Sequence, residues 1–392
     1  MLIFAHMSDR QTHPPATTDT GPLGMPTPSA IAVVAIGLAP ILFAAVLSET
    51  NRQFYYMSVQ EDGLLEWGTF WGLFAGGVAF LLAAVRRYRE GEKFPWFPVL
   101  VGLFCFFVAG EEISWGQRVL GYRPPAYFLE ENFQQELNLH NVWDTDLRKL
   151  LAKATLLVYG VALPLAALAA PIRRLLEKLG VTAPPAAVIP VFLGAFWVYH
   201  EYPWKFSGEV IELSMAFGFL FAGMAALWPR VGEPAEPGIT LQQVGLGLTA
   251  VLALSFIAVG FNRISAGGSS PEREDQARTE LAAMGRDLMR GNRPISRCGV
   301  HKRVYSWVEK YDADPLREGA FSRLAEDGVP ESRVEFFIDP WNSPYWIRHR
   351  CVDKRQRQRL FIYSFGPDRR RQSTEWELGG DDVGLVLYER GF

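Results

Sequence analysis

The chain has 392 residues, enough for more than one domain, and its formal net charge of -3 favours no particular class of partner. The basic residues are not gathered on one recognisable reading element, which argues against a nucleic-acid-binding protein. The three cysteines, Cys105, Cys298 and Cys351, lack the spacing to histidines that zinc sites require. The mean hydropathy is near zero, but most of residues 30–261 are apolar and the charges concentrate after Gly267.

The first 28 residues are rich in Thr and Pro and carry no basic segment followed directly by a short apolar run. We predict a disordered cytoplasmic tail here rather than a cleaved signal peptide. Residues 29–264 are expected to form a membrane domain of about seven helices, because lipid offers backbone groups no hydrogen-bond partners. The predicted spans are Ile31–Leu47, Leu64–Val85, Phe97–Gln117, Leu150–Ala170, Ala186–Tyr202, Val210–Trp228 and Leu241–Phe261.

The charges of the short loops predict an orientation. Basic residues follow the second predicted span (Arg86, Arg87, Arg89) and the fourth (Arg173, Arg174), and such loops usually face the cytoplasm. An odd number of spans then puts the N-terminus inside and the C-terminal residues outside. We expect a bacterial inner (cytoplasmic) membrane protein with a periplasmic C-terminal domain.

Residues 270–392 have the pattern of a small α+β domain. A charged amphipathic helix is predicted over 271–292, and short strand-like runs follow at Val334–Ile338, Tyr345–Arg350, Leu360–Phe365 and Val383–Tyr388. Outside the cytoplasm, Cys298 and Cys351 could form a disulfide, and two unpaired thiols remain the alternative. The predicted fold class is therefore an α-helical polytopic membrane bundle followed by an α+β domain with an antiparallel sheet.

Ionisable residues at the outer ends of the predicted helices are the candidate site. A carboxylate near the hydrocarbon is costly unless it is paired, coordinated or protonated. Glu111, Ser114 and Arg118 follow helical spacing and should share one face. The alternative for acids at helix starts is a simple interaction with the helix dipole. The predicted catalytic residues are Glu66, Glu111, Glu112, Ser114, Arg118 and Glu201.

Carboxylates with imidazoles are typical ligands of divalent transition metals. A metal ion with an open position would activate water, and a neighbouring glutamate could act as general base. The predicted metal ligands are Glu111, Glu209, Glu212, His140 and His200.

Two motifs of the membrane part resemble one known group of sequences. They are Glu-Glu-Ile-Ser-Trp-Gly-Gln-Arg at 111–118 and Asn-Leu-His-Asn at 138–141. The combination is similar to bacterial multi-spanning membrane proteins to which no activity is attached. The resemblance therefore supports a membrane domain and implies no reaction.

The last 55 or so residues resemble the C-terminal domain of type II secretion major pseudopilins. Asp-Pro-Trp-Asn-Ser-Pro-Tyr at 339–345 is similar to that family's Asp-Pro-Trp-Gly-x-Pro-Tyr, and Tyr-Ser-Phe-Gly-Pro-Asp at 363–368 to its Tyr-Ser-x-Gly-x-Asp. The resemblance implies a pseudopilin-like head and a calcium ion held by Asp368, Asp381 and Asp382. It also implies partners among envelope or secretion proteins.

Three functions follow from these features. The first is a membrane-embedded enzyme, a metal-dependent hydrolase or transferase acting on lipid or lipid-linked substrates. The second is an interaction protein whose head binds an envelope or secretion component. The third is a transporter with buried acids, although the internal repeats common in transporters are not visible.

Overall fold

The computed structural model describes residues 24–132, 134–228, 238–265, 270–290, 298–311, 314–352 and 357–391. The helical part up to residue 265 is called the membrane domain below, and residues 270–391 are called the head. Most of the predicted N-terminal tail lies outside the described residues.

The membrane domain is built almost wholly from helices. A left-handed turn, Ser114–Gly116, separates α4 from α5, and a π-helical stretch, Thr155–Ala162, joins α7 to α8. The helices are α1 Thr27–Thr50, α2 Arg52–Ser58, α3 Leu64–Arg89, α4 Trp96–Glu112, α5 Gln117–Leu120, α6 Ala126–Glu131, α7 Thr145–Ala154, α8 Leu163–Leu168, α9 Ala170–Lys178, α10 Ile189–Glu201 (after a 3-10 turn, Ala186–Val188), α11 Gly208–Leu227 and α12 Leu241–Ser265.

Five helical stretches of the described chain are long and apolar enough to cross a membrane. The two remaining predicted spans correspond to α4, with 17 residues, and to the shorter apolar stretch Ala186–Glu201. A membrane protein is thus supported, while the count of about seven spans stays a prediction. The five long stretches are Thr27–Thr50, Leu64–Arg89, Thr145–Leu168, Gly208–Leu227 and Leu241–Asn262.

Small residues set the packing of α3 against α11. Gly68, Gly72 and Gly76 recur every fourth residue on α3, a spacing that lets helix backbones approach closely in membranes. A Cβ added at Gly72 would lie 3.1 Å from the Ala216 Cβ, and one added at Gly76 would lie 3.1 Å from the Leu220 backbone nitrogen. Contacts therefore advance along both helices in the same direction, and α3 and α11 begin at the same end of the bundle.

The helix α4 runs antiparallel to α3. The rings of Phe74 and Phe106 are 5.1 Å apart, and a Cβ added at Gly77 would lie 3.1 Å from the Gly102 carbonyl oxygen. The end of α4 at Glu112 therefore lies beside the starts of α3 and α11. Three helix ends that carry acidic residues meet there, as the predicted arrangement of spans requires.

The head contains a four-stranded antiparallel sheet in the order β1-β2-β3-β4. Its strands are β1 Val300–Arg303, β2 Trp346–Cys351, β3 Gln358–Ser364 and β4 Val383–Arg390. Its helices are α13 Pro271–Arg290, α14 Val304–Tyr311, α15 Asp314–Arg317 and α16 Glu331–Glu335, with a 3-10 turn at Ser322–Ala325. The apolar side of the sheet packs on Leu281 and Met284 of α13.

One predicted strand of the head is wrong. Residues Glu331–Glu335 form α16, and Ile338 makes only an isolated bridge with Pro344. Pro330 precedes the helix and Glu331 stands in its first turn, both favourable at a helix start. The strand that pairs with β2 is instead β1, whose short and basic sequence resembles a loop.

Of the two alternatives for Cys298 and Cys351, the structure shows the disulfide. Cys298 and Cys351 are bonded, with their Cα atoms 5.3 Å apart, and they join the start of β1 to the end of β2. Cys105 is a free, buried thiol in α4.

The head packs against the end of the membrane domain where α3 and α11 begin, called the head-side end. The side chain of Gln60 donates to the Arg371 carbonyl (3.0 Å) and accepts from the Arg371 backbone N–H (2.7 Å). The Arg370 guanidinium donates to the Met57 carbonyl. The opposite end, with the end of α3 and the start of α4, is called the distal end.

A second contact joins the head to the loop between α6 and α7. The buried Arg303 guanidinium donates to the Asn132 carbonyl at 3.1 Å, and the Gln135 amide donates to the Phe336 carbonyl at 3.2 Å. Burial lowers the pKa of Arg303 to about 10, so this side chain stays charged at neutral pH. The head therefore holds both α2 and the loop after α6.

Candidate functional site

The end of α4 breaks into a left-handed turn. Ser114, Trp115 and Gly116 have φ values of 48°, 53° and 81°. The left-handed conformation costs a non-glycine residue about 1–2 kcal/mol, and such strain is concentrated at functional sites. The prediction that Arg118 continues the helical face of Glu111 is wrong, because α4 ends at Glu112. The side chain of Arg118 lies outside the described residues.

Glu111 anchors the loop that carries the Asn-Leu-His-Asn motif. One carboxylate oxygen accepts the Trp115 indole N–H at 2.7 Å, and the other accepts the backbone N–H groups of Leu139 (2.6 Å) and His140 (2.9 Å). The His140 Nδ1 lies 3.4 Å from the same carboxylate. Glu111 is only 3 % exposed, so these donors compensate the burial of its charge.

A buried polar network continues from Ser114 into the same loop. The Ser114 hydroxyl donates to the Glu136 carboxylate at 2.7 Å, and the Asn138 amide donates to both at 3.2–3.3 Å. The Asn132 amide donates in turn to the Asn138 side chain at 2.7 Å. The two sequence motifs of the membrane domain therefore form one hydrogen-bonded unit, whose members hold one another in place.

Carboxylates of α3, α4 and α11 lie near Glu112. Glu66 of α3, together with Glu209 and Glu212 of α11, lies close enough to interact electrostatically with half-buried Glu112, as does Glu111. These five residues, Glu66, Glu111, Glu112, Glu209 and Glu212, are called the acidic cluster below. The structure brings together members of the predicted catalytic and metal-binding sets.

Positive charge approaches the cluster from the loop and α7. His140 and Arg148 both interact electrostatically with Glu212. The Arg148 guanidinium donates to the His140 carbonyl at 3.3 Å and to the Asn141 side chain at 3.2 Å. The site therefore combines acids with an imidazole that could exchange protons with them.

Two predicted site residues lie elsewhere at the head-side end. His200 is exposed, stacks on Phe196 (5.9 Å between ring centroids) and has its Nδ1 3.5 Å from the Lys153 Nζ. Glu201, the last residue of α10, is also exposed. Among the described residues, the ring and polar contacts of His200 involve none of the residues that contact Glu111, so the two side chains lie in separate clusters.

The predicted transition-metal site has no compact ligand set among the described residues. No group of three or more His, Cys, Asp or Glu there is arranged to hold a metal ion. A metal in the membrane domain remains a prediction that metal analysis must test, and the function proposed below does not depend on it.

The three predicted calcium ligands of the head gather around Gln372. Its side-chain N–H groups donate at 2.7 Å to both Asp368 and Asp381, while its backbone N–H donates to Asp382 at 3.2 Å. The Ser373 N–H also donates to Asp382 at 2.7 Å. A calcium ion between these carboxylates would have to displace the Gln372 amide.

Asp339 joins the motif at residues 339–345 to the motif at residues 363–368. One of its oxygens accepts the backbone N–H groups of Trp341 (2.9 Å) and Ser343 (2.8 Å), and the other accepts the Ser364 hydroxyl. Burial raises the pKa of Asp339 to about 6, although these donors act in the opposite direction. Beside it, Tyr345 donates to Glu280 at 2.7 Å. The motif residues thus stabilise the centre of the head.

Sequence reasoning missed Glu136 and Arg148. Both stand in polar segments where a charged residue is ordinary, so neither position was distinctive. Glu136 lies two residues before the Asn-Leu-His-Asn motif and Arg148 seven residues after it. That proximity was the only available indication.

Comparisons of the chain with protein-family models, with curated proteins and with solved structures gave no match.

Proposed function

We propose that the membrane domain is an enzyme with an acid–base site at the acidic cluster, acting as a hydrolase or transferase on the polar part of a lipid or lipid-linked substrate. The observation that carries this proposal is the convergence of five carboxylates from α3, α4 and α11 with His140 and Arg148. Ionisable groups this close to apolar spans are costly, which favours a functional role.

The position of the cluster supports a substrate that arrives from the membrane interface. Exposed aromatic side chains lie at the same end of the bundle, among them Trp115, Trp197 and Tyr202. Such residues are enriched at the level of lipid headgroups. A reacting ester or phosphate group at this depth would meet the acids while its acyl or prenyl chains stay in the hydrocarbon.

In the proposed mechanism, one member of the cluster transfers protons to or from the reacting group. Glu112 and Glu212 are the best candidates, because both are half-buried and neither is held as fully as Glu111. His140 and Arg148 would stabilise negative charge that develops beside Glu212. The Ser114 hydroxyl, which donates to Glu136, positions the loop rather than attacking the substrate.

The test uses the full chain in nanodiscs of phosphatidylethanolamine and phosphatidylglycerol with a polyprenyl diphosphate added. Mass spectrometry follows the loss of each lipid and the appearance of headgroup or phosphate products, with and without chelator. Glu112→Gln and Glu212→Gln should each reduce turnover about 100-fold or more. Glu49→Gln, an exposed acid at the end of α1, is the matched control and should not.

Absence of turnover, or equal turnover by wild type and both cluster variants, would contradict the proposal. Stoichiometric bound metal, together with loss of activity in chelator, would add the transition-metal role to it.

We propose further that the head faces the periplasm and the protein lies in a bacterial inner membrane. The Cys298–Cys351 disulfide supports this orientation because disulfides persist in oxidising compartments. The basic residues at the distal end support it because cytoplasmic loops are enriched in Lys and Arg. Thiol labelling of Cys298→Ser in intact cells, which frees Cys351, tests the placement.

A second function, binding of an envelope or secretion protein by the head, is favoured by β4. This strand ends the sheet, and its described pairing is with β3 alone. An edge strand is a common attachment site for a partner strand. Deletion of residues 270–392 should then abolish function while Glu112→Gln preserves it, the reverse of the enzyme proposal.

A further inference from the structure

The helix α9 does not continue the span that precedes it. Ala169, between α8 and α9, has extended backbone angles (φ -79°, ψ 115°), and Pro171 stands in the first turn of α9. The chain therefore changes direction at Ala169, where the apolar stretch ending at Leu168 stops.

The residues of α9 segregate onto two faces. Ile172 and Leu175, with Leu179 directly after the helix, recur at helical spacing and are 43 %, 54 % and 56 % exposed, so the rest of the protein leaves them largely uncovered. Arg174 and Lys178 are exposed on the polar side. A short helix with an uncovered apolar face and basic residues opposite it is typical of helices lying in the membrane interface.

The far end of α9 is fixed to the distal end of the bundle. The Trp96 indole donates to the Leu179 carbonyl at 2.9 Å, and the Arg87 guanidinium donates to the Thr182 hydroxyl. The Val181 N–H also donates to the Leu176 carbonyl at 2.8 Å. Since α9 follows α8 directly and its far end is bound to α3 and α4, its apolar face has a fixed position relative to these helices.

The same region carries an excess of positive charge. Segments 86–93 and 173–178 together contain seven basic residues and three acidic ones. The acids are partly neutralised locally, by the pairs Arg86–Glu90 (3.5 Å), Arg87–Glu92 (2.6 Å) and Arg173–Glu177 (4.0 Å). Lys93, Arg174 and Lys178 belong to none of these three pairs, and all three are exposed.

We infer that α9 and these two basic segments form a binding surface for the headgroups of anionic phospholipids. Lipid is the occupant because α9 begins directly after the membrane-length stretch Thr145–Leu168. Its apolar face therefore lies at the edge of the hydrocarbon, where acyl chains cover it. The charge excess selects phosphate-bearing headgroups with net negative charge, because Lys and Arg near a membrane surface attract anionic lipids. This surface is at the end opposite the acidic cluster and does not depend on the proposed enzyme.

The test measures which lipids remain bound to the full chain. Native mass spectrometry of protein extracted from vesicles with equal dioleoylphosphatidylglycerol and dioleoylphosphatidylcholine reports the ratio retained. Wild type should retain severalfold more phosphatidylglycerol. The triple variant Lys93→Gln, Arg174→Gln, Lys178→Gln should lower that ratio severalfold, to near one.

A control variant removes the same charge from the head, through Arg278→Gln, Lys310→Gln and Arg390→Gln, all exposed residues. It should keep the wild-type ratio. Equal melting temperatures in phosphatidylcholine alone will show that both variants are folded.

Equal retention of the two lipids by wild type, or an equal loss in both triple variants, would overturn the inference. The first outcome is also the one expected if a protein covered α9 instead of lipid.

Discussion

Gln372 donates hydrogen bonds to all three predicted calcium ligands of the head. Its carboxamide donates at 2.7 Å to Asp368 and Asp381, the two acids between which the pseudopilin resemblance implies calcium. A Cβ added at Gly380 would lie only 1.6 Å from the Gln372 Oε1. The neighbouring backbone is thus shaped around this side chain, and the amide N–H groups provide the positive potential that a cation would supply.

Replacing Gln372 by a carboxylate should create a calcium requirement. In Gln372→Asp, a fourth acid joins Asp368, Asp381 and Asp382 in place of the amide donors, and oxygen ligands of this kind suit calcium. We expect this variant to be destabilised in chelator and stabilised by about 1–3 kcal/mol at calcium concentrations 10 to 100 times its Kd. Thermal unfolding of the full chain with and without calcium measures the effect.

Wild type and Gln53→Asp, which changes an exposed glutamine of α2 by the same charge, should respond little to calcium. Equal calcium stabilisation of wild type would show that the native loop binds the ion despite Gln372.

Asp339 should make the stability of the head depend on pH. Its pKa is raised to about 6 in the folded chain, so the folded state holds the proton more tightly than the unfolded state. The resulting stabilisation is complete below the unfolded pKa and is lost as pH rises through about 6. A rise of this size corresponds to about 3 kcal/mol.

We therefore expect wild type to lose stability relative to Asp339→Asn between about pH 4 and 7. Denaturant unfolding of both proteins at several pH values gives this difference. Asp382, whose pKa burial also raises to about 6, is present in both proteins and cancels. A difference that is constant with pH would contradict the assignment.

At the scale of single elements, the turn after α4 places the Ser114 hydroxyl beside Glu136 and the Trp115 indole beside Glu111. Gly116 has φ 81°, and a Cβ added there would meet only the Leu120 side chain, at 3.7 Å. Steric room is thus available, and the cost of Gly116→Ala comes from backbone conformation. We expect this variant to lose about 1–2 kcal/mol of stability.

Gly260→Ala is the control for this prediction, because Gly260 lies in α12 and an added Cβ meets nothing within 4 Å. Alanine should be neutral or stabilising there by up to about 1 kcal/mol. Similar melting temperatures for the two variants would argue that the turn is not strained.

The elements were predictable from sequence where a periodic pattern fixes them. The apolar runs located the long helices, and alternating apolar residues located β2, β3 and β4. Ser114 and Trp115 were misassigned to a continuous helix. Their left-handed conformation goes with two buried contacts, from Trp115 to Glu111 and from Ser114 to Glu136, and Glu136 lies 22 residues further along the chain. The strand β1 was missed because its pairing with β2 comes from tertiary structure.

The candidate site was predicted as a set of helix ends but not as a set of contacts. The acids of α3, α4 and α11 meet because glycines bring those helices together, and that part follows from the sequence. His200 was included because α10 ends on the same side of the bundle, yet its ring lies against Phe196 and Lys153. Which direction a side chain takes at a helix end depends on packing that one sequence does not reveal.

At the scale of the whole molecule, Gln60 should be important for docking of the head. Its amide pairs with both backbone groups of Arg371, whose guanidinium also lies 4.5 Å from the Tyr56 ring centroid. Gln60→Ala removes both hydrogen bonds, each worth about 1 kcal/mol. We expect faster hydrogen exchange in segments 55–62 and 369–373 while the core of the head stays protected.

Gln53→Ala, which changes an exposed glutamine of α2 seven residues before Gln60, should leave exchange unchanged. Unchanged exchange in Gln60→Ala would place the docking energy in the contacts of Arg303 and Arg370 instead.

The short connection from α12 to the head limits how far the head can travel. Ser265 and Ser270 are five residues apart, and a fully extended chain of that length spans at most about 18 Å. A head released from Gln60 and Asn132 would still be confined near its docking surface, at an effective concentration in the millimolar range. Weak contacts therefore suffice to keep the head docked on the membrane domain. A ligand that competes for this docking surface must reach it at the membrane to keep the head released.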